Sequence, residues 1–150
     1  MNVVILDIGF YKNQNLKNMR KIWHISVHCS DSDHAHHDNK QTIHNWHVVE
    51  RKWRDIGYHY LILKNGTVEN CRPISRVPAA VSGHNTGMIA ICLTGRNRFS
   101  AAQFNGLREL VKDLQEEYSI NSDNVRGHKD YPKMVKTCPN FDVQEVVFNN

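Results

Sequence analysis

The segment Met88-Ile89-Ala90-Ile91-Cys92-Leu93 carries no charged side chain and no polar one beyond a thiol. A run of this length and character reads as a strand buried on both faces. Such strands sit inside a sheet that other elements cover. The rest of the pattern supplies those elements. Ile22 to Val27 reads as a strand ending at His28-Cys29-Ser30, and Tyr58 to Leu63 as another. Asn65-Gly66 predicts a type I′ hairpin turn leading into Thr67-Val68-Glu69, because Asn and Gly tolerate positive φ. Val125 to Gly127 is a short extended segment, and Val3 to Leu6 reads as a further short strand.

Helical spacing appears in three places. Ile43, Trp46, Val49 and Trp53 form one stripe, with Asp38 and Gln41 as a capping box before it. Ser100 and Gln103 make a second capping box. Phe104, Leu107, Leu110, Val111 and Leu114 follow on one face, to about Tyr118. Asp142 caps a last short helix through Val146 and Phe148. The order β-α-β-β-β-α-β-α predicts a single-domain α/β fold, a mixed central sheet flanked by helices. Residues 1–21 read as a lead-in with no assigned role, and 22–150 as the working domain.

The chain has 150 residues, 40% of them hydrophobic and 23% charged, which fits one domain with a core of its own. No apolar run approaches the roughly 18 residues of a spanning helix, so stable membrane insertion is not expected. The net charge is +4, but Lys and Arg are scattered, which points to ordinary solvation and not to a nucleic-acid surface. Four cysteines show no CxxC spacing, and the first residues lack a basic segment followed by an apolar one. The expectation is a chain made in a reducing compartment, its thiols free or bound to metal.

Ten histidines invite a metal or acid–base reading. His28 ends the first strand, His128 follows the last extended segment, and Cys138 lies ten residues further on. Two imidazoles and a thiolate suit zinc, and three protein ligands leave a fourth position open, as catalytic sites do. Each residue also has a plain reading: a polar strand end, a turn cap, a small buried hydrophobe. Asp33-His34-Ala35-His36-His37 has no spacing that fixes a geometry and reads as a solvated loop.

Several motifs occur together in order. They are His28-Cys29-Ser30, Gly57-Tyr58-His59-Tyr60, Asn65-Gly66-Thr67-Val68-Glu69, Gly83-His84-Asn85-Thr86, Gly127-His128-Lys129-Asp130 and Lys136-Thr137-Cys138-Pro139. Over residues 22–148 the chain resembles the type 2 zinc N-acetylmuramoyl-L-alanine amidases, especially the small phage lysozymes, relatives of the peptidoglycan recognition proteins. The resemblance implies one catalytic Zn2+ held by His28, His128 and Cys138. It implies that Tyr58 and Lys136 serve the reaction beside the metal and that His84 lies in the groove near the substrate. Outside this pattern Tyr58 reads as a packing aromatic, Lys136 as a solvated lysine and His84 as a loop histidine. His59 alternates to the face opposite Tyr58 and reads as structural.

The implied activity is zinc-dependent hydrolysis of the amide between N-acetylmuramic acid and L-alanine in peptidoglycan. The implied setting is a monomeric phage endolysin, cytoplasmic until released to the wall. The alternatives are a cytoplasmic amidase recycling soluble muropeptides, a non-catalytic peptidoglycan-binding module, and a regulator that binds host RNA polymerase.

Overall fold

The computed structural model describes residues 20–149; the strand expected at Val3 to Leu6 lies outside them. β1 (His24–Cys29), β2 (Tyr60–Ile62), β3 (Val68–Asn70), β4 (Met88–Leu93) and β5 (Val125–Gly127) form one sheet in the order β3-β2-β4-β1-β5. β4 pairs parallel with both β1 and β2, β5 pairs parallel with β1, and only β3 runs antiparallel, beside β2. The sheet is mixed, as the sequence predicts. Every residue of β4 is fully buried.

Alternation along the strands divides the molecule into two layers. Ile25 and Val27 of β1, with Ile89, Ile91 and Leu93 of β4, pack against α2 (Ala101–Tyr118) through Leu107, Leu110, Val111 and Leu114. Val143 of α3 (Val143–Phe148) joins that core. The other face carries His24, Ser26 and His28 from β1 and Met88, Ala90 and Cys92 from β4. It is covered by α1 (Lys40–His44) and by the loops around Ile56, Val81 and Tyr131.

Both later caps form as predicted. The Ser100 side chain accepts from the Gln103 N–H while Gln103 reaches back, and Asp142 accepts from the Glu145 N–H. The first cap differs. Asn39, not Asp38, caps α1 by accepting from the Thr42 N–H. Asp38 accepts instead from the Lys64 N–H at 3.0 Å and the Thr94 hydroxyl at 2.6 Å, tying α1 to the ends of β2 and β4. The helical stripe also changes pitch: after His44 the backbone continues as a wide π turn over Asn45–Glu50.

The hairpin is not type I′. Gly66 alone takes positive φ (88°), with its N–H on the Leu63 carbonyl at 2.8 Å and the Leu63 N–H on Thr67 O at 2.9 Å. This is a type I turn followed by a glycine bulge. The turn lies on the start of α2, where a Cβ at Gly66 would stand 2.9 Å from Ala102 O. That close approach selects the glycine.

His59 is fully enclosed. Its Nδ1 accepts from the Ala90 N–H at 3.0 Å and its Nε2–H donates to Arg76 O at 2.8 Å. Burial pushes its pKa down to about 3, and that of the buried His47 to about 4. Both imidazoles are neutral in the fold and free to protonate near pH 6.5 when unfolded. Their contribution is therefore complete above pH 6.5 and is lost as pH falls toward 4 and then 3. The denaturation midpoint is expected to be level above pH 7 and to drop between pH 6.5 and 4, as the unfolding free energy falls by roughly several kcal/mol in all. A flat midpoint over that interval would contradict the enclosure of these two rings.

Candidate active site

Parallel pairing brings the ends of β1 and β5 together. Val27 is in register with Gly127, so the next residues, His28 and His128, stand side by side with ring centroids 4.9 Å apart. Cys138 joins them because the Lys129 N–H donates to Cys138 O at 2.9 Å, closing the loop between them. Gly127 permits this closure: a Cβ there would lie 2.7 Å from Pro139 Cδ. The ligand atoms of His28, His128 and Cys138 all fall within 4.8 Å of one another, the one such group among the described residues.

The protonation states suit a cation. Burial, then the neighbouring His128, drives the His28 pKa well below its ordinary value; burial and the Lys136 charge lower that of His128. Both rings are neutral at pH 7 and present lone pairs. Ser26 sets which lone pair His28 offers. Its hydroxyl donates to Met88 Sδ at 2.9 Å, so its oxygen accepts from the His28 Nε2–H at 2.7 Å. Nδ1 is left facing Cys138 Sγ at 4.0 Å. Ligands on one tetrahedral zinc sit about 3.3–3.8 Å apart, so slight contraction suffices. The Cys29 N–H donates to Cys138 Sγ at 3.2 Å. As a thiol, Cys138 is pushed up, first by its hydrogen-bonding neighbour Cys29 and then by burial. A bound divalent cation is the charge that would make it a thiolate.

The cluster lies at the side of a cleft of about 650 Å3 that His128, Cys138, Tyr58 and Lys136 all line. Tyr58 precedes β2 and does not lie in it. Its half-buried ring is 5.1 Å from His28. Burial, then the Cys92, Cys138 and Cys29 thiols, hold its phenol well above the ordinary range, so it remains an O–H donor. Lys136 is an exposed cation on the rim. The π turn of α1 forms the far wall with Trp46 and His47, and Arg51 and Trp53 extend it. One rim is clamped where Asp33 accepts the backbone N–H groups of Arg96, Asn97 and Arg98.

Residues 18–141 match the N-acetylmuramoyl-L-alanine amidase family. The chain belongs to that family. It is an N-acetylmuramoyl-L-alanine amidase, and the hydrolase reading of the cleft follows from membership. The amidase is 33% identical over 128 residues to the endolysin of Klebsiella phage KP32, covering 80% of this chain and 82% of that one. Among solved structures it superimposes with a TM-score of 0.74 on an endolysin N-acetylmuramoyl-L-alanine amidase, LysCS, from Clostridium intestinale. The identity is 27%, and the match covers 85% of this chain and 82% of the other. Drosophila peptidoglycan recognition protein SD shares the fold, with a TM-score of 0.68 at 20% identity over 81% and 77% of the two chains.

His84 is the expected site residue that the amidase does not bring into the cleft. The loop that carries it, with Gly83 and Gly87 at φ 80° and 74°, puts Ser82 on the cleft and His84 on its other side. His84 consequently faces Tyr131 at 5.3 Å and lines a second, smaller pocket. The His34–His37 tract is a short 3₁₀ turn in which Ser32 holds His37, and it gathers no metal-ligand geometry among the described residues. All four cysteines are free, including Cys29 and Cys92. Sequence reading passes over Ser26, although a hydroxyl two residues before His28 in an apolar strand must share its face.

A consequence can be read without any metal. At neutral pH the His28 ring is expected as the Nε2–H tautomer, visible in long-range 1H–15N spectra. Ser26→Ala is expected to abolish that preference and Ser26→Thr to keep it. An Nδ1–H ring in the unsubstituted protein would overturn the assignment.

Proposed function

We propose that this chain is a zinc-dependent lytic amidase of phage type. It cuts the bond between the lactyl group of N-acetylmuramic acid and L-alanine in peptidoglycan. The convergence of His28, His128 and Cys138 beside a cleft that Tyr58 and Lys136 share carries this reading. The donor set fits zinc: two neutral imidazoles and a thiol, with one approach open to the cleft. Zn2+, when bound by these residues, supplies Lewis acidity and makes water a nucleophile near neutral pH.

The chain's own groups do the rest. The cleft holds the muramyl peptide so that its scissile carbonyl meets the cluster. The tetrahedral oxyanion calls for donors already in place. Tyr58 offers a phenol that burial keeps protonated, and Lys136 a positive charge on the rim of the same cleft. Hydrolysis consumes one water and yields a lactyl carboxylate and a free L-alanine amine. The proton that the amine takes on must cross the cleft, and Tyr58 and Lys136 are the two donors beside the cluster. Similarity to phage endolysins supports a role in wall lysis after release from the host cytoplasm.

The test combines metal content with product release. Untagged protein is expected to hold about one zinc per chain and to free N-terminal L-alanine from purified sacculi, with a chelator stopping release. Zinc without release, on sacculi that a control amidase digests, would favour a binding module or an enzyme of soluble muropeptides.

Two substitutions separate the roles. Cys138→Ser is expected to lose zinc and most activity together, because a hydroxyl is a poor ligand at neutral pH. Full zinc and full rate would remove Cys138 from the set. Lys136→Ala is expected to keep its zinc while kcat falls roughly 10²–10³-fold, the cost of one oxyanion donor. Zinc loss in that variant would assign Lys136 a folding role instead.

A further inference from the structure

Next to the cleft is a second pocket of about 270 Å3, lined by Trp23, His24, His84, Asn124, Arg126 and Tyr131 among others. One loop divides the two: Ala80 and Ser82 face the cleft, His84 and Thr86 the pocket. Trp23 is 43% exposed. Its indole lies against Gly87, where a Cβ would come within 2.3 Å of the ring, and the Trp23 backbone N–H donates to Gly87 O at 2.9 Å. Such packing fixes one face of the indole and leaves the other available.

The floor is rigid and neutral. His24 donates its Nε2–H to Thr86 O and accepts from the Tyr131 hydroxyl at Nδ1, each at 2.8 Å. Arg126 lies over the Tyr131 ring at 5.5 Å. Its hydrogen bonds, to Asp123 O and Asn124 Oδ1, are both long at 3.4 Å. Among the described residues no carboxylate stands within ion-pair distance of it. An aromatic plane, an amide and an under-used guanidinium fork thus converge on one small hollow.

We propose that this pocket binds a muramic acid residue whose lactyl carboxylate is free, the sugar left on a glycan strand after the peptide is cut. The identity of the sugar rests on the amidase reading above. Hydrolysis turns a neutral lactyl amide into a carboxylate, so substrate and product glycan differ by one negative charge at that atom. A guanidinium fork reads a carboxylate through two parallel hydrogen bonds. The indole face packs on the apolar face of the pyranose ring. Because the pocket shares a wall with the cleft, it holds a processed stretch of glycan beside the next bond to be cut.

The three tryptophans make the test direct, since Trp23 lines this pocket while Trp46 and Trp53 line the cleft. The full chain is titrated with N-acetylmuramic acid and, separately, with N-acetylglucosamine, which lacks the lactyl carboxylate, and the indole N–H signals are followed by NMR. The Trp23 signal is expected to shift saturably with the first sugar and at least about tenfold more weakly with the second. Arg126→Gln is expected to make the two sugars equivalent. A silent Trp23, or equal response to both sugars in the unsubstituted chain, would overturn the proposal, and that comparison stands even where the variant fails to fold. Alanine release from sacculi with a silent Trp23 removes this pocket alone. A responsive Trp23 without alanine release removes the catalytic reading and leaves the pocket.

Discussion

β1 lies between two parallel neighbours, and its residues belong alternately to two layers. Ile25 and Val27 are sealed under α2, while Ser26 and His28 emerge on the side where the cleft opens. The position of His28 therefore follows from burial of hydrocarbon on the opposite face. A slip of one residue in the pairing would exchange the layers, sending imidazole into the α2 core and isoleucine to the cluster. The same register sets His128 beside His28, since both follow the paired Val27 and Gly127. Core packing and site geometry are one constraint here. The two histidines need no ordering of a mobile loop to meet.

The site that results is polar without being highly charged in its depths. Its imidazoles are neutral, its phenol is protonated, and Ser26 spends its proton on a thioether. Cationic side chains, Arg51, Arg96 and Lys136, stand instead toward the mouth of the cleft, with Asp31 the acid among them. The arrangement leaves the buried donors uncommitted to one another and available to an incoming cation or carbonyl.

What the sequence discloses depends on how local the deciding interaction is. The buried strand Met88–Leu93, the Ser100 cap and the helix behind it were legible because each pattern is complete within a few residues. Asp38 has the spacing of a cap without being one, because its partners, Lys64 and Thr94, lie far along the chain. Asn65-Gly66 suits both a type I′ turn and a type I turn with a glycine bulge, and the dipeptide alone does not choose between them. At the site, the grouping of His28, His128 and Cys138 was legible through resemblance, but its cause, the β1–β5 register, leaves no local mark. His84 lines the pocket beside the cleft and not the cleft itself, and a residue order alone does not show to which side of a loop a histidine falls.

The wide turn at Asn45–Glu50 has a meaning for how this cleft came about. Such a turn is what remains when a single residue is inserted into an α-helix and the helix swells instead of shifting its register. Here it falls where Trp46 and His47 line the wall. Removing that extra residue would return the segment to α-helical pitch and change which side chains bulge into the cleft, without turning the elements on either side. The far wall of the cleft is thus one codon away from a different lining, with the sheet that carries the cluster untouched. In this molecule the substrate-facing wall and the catalytic floor can change their histories independently.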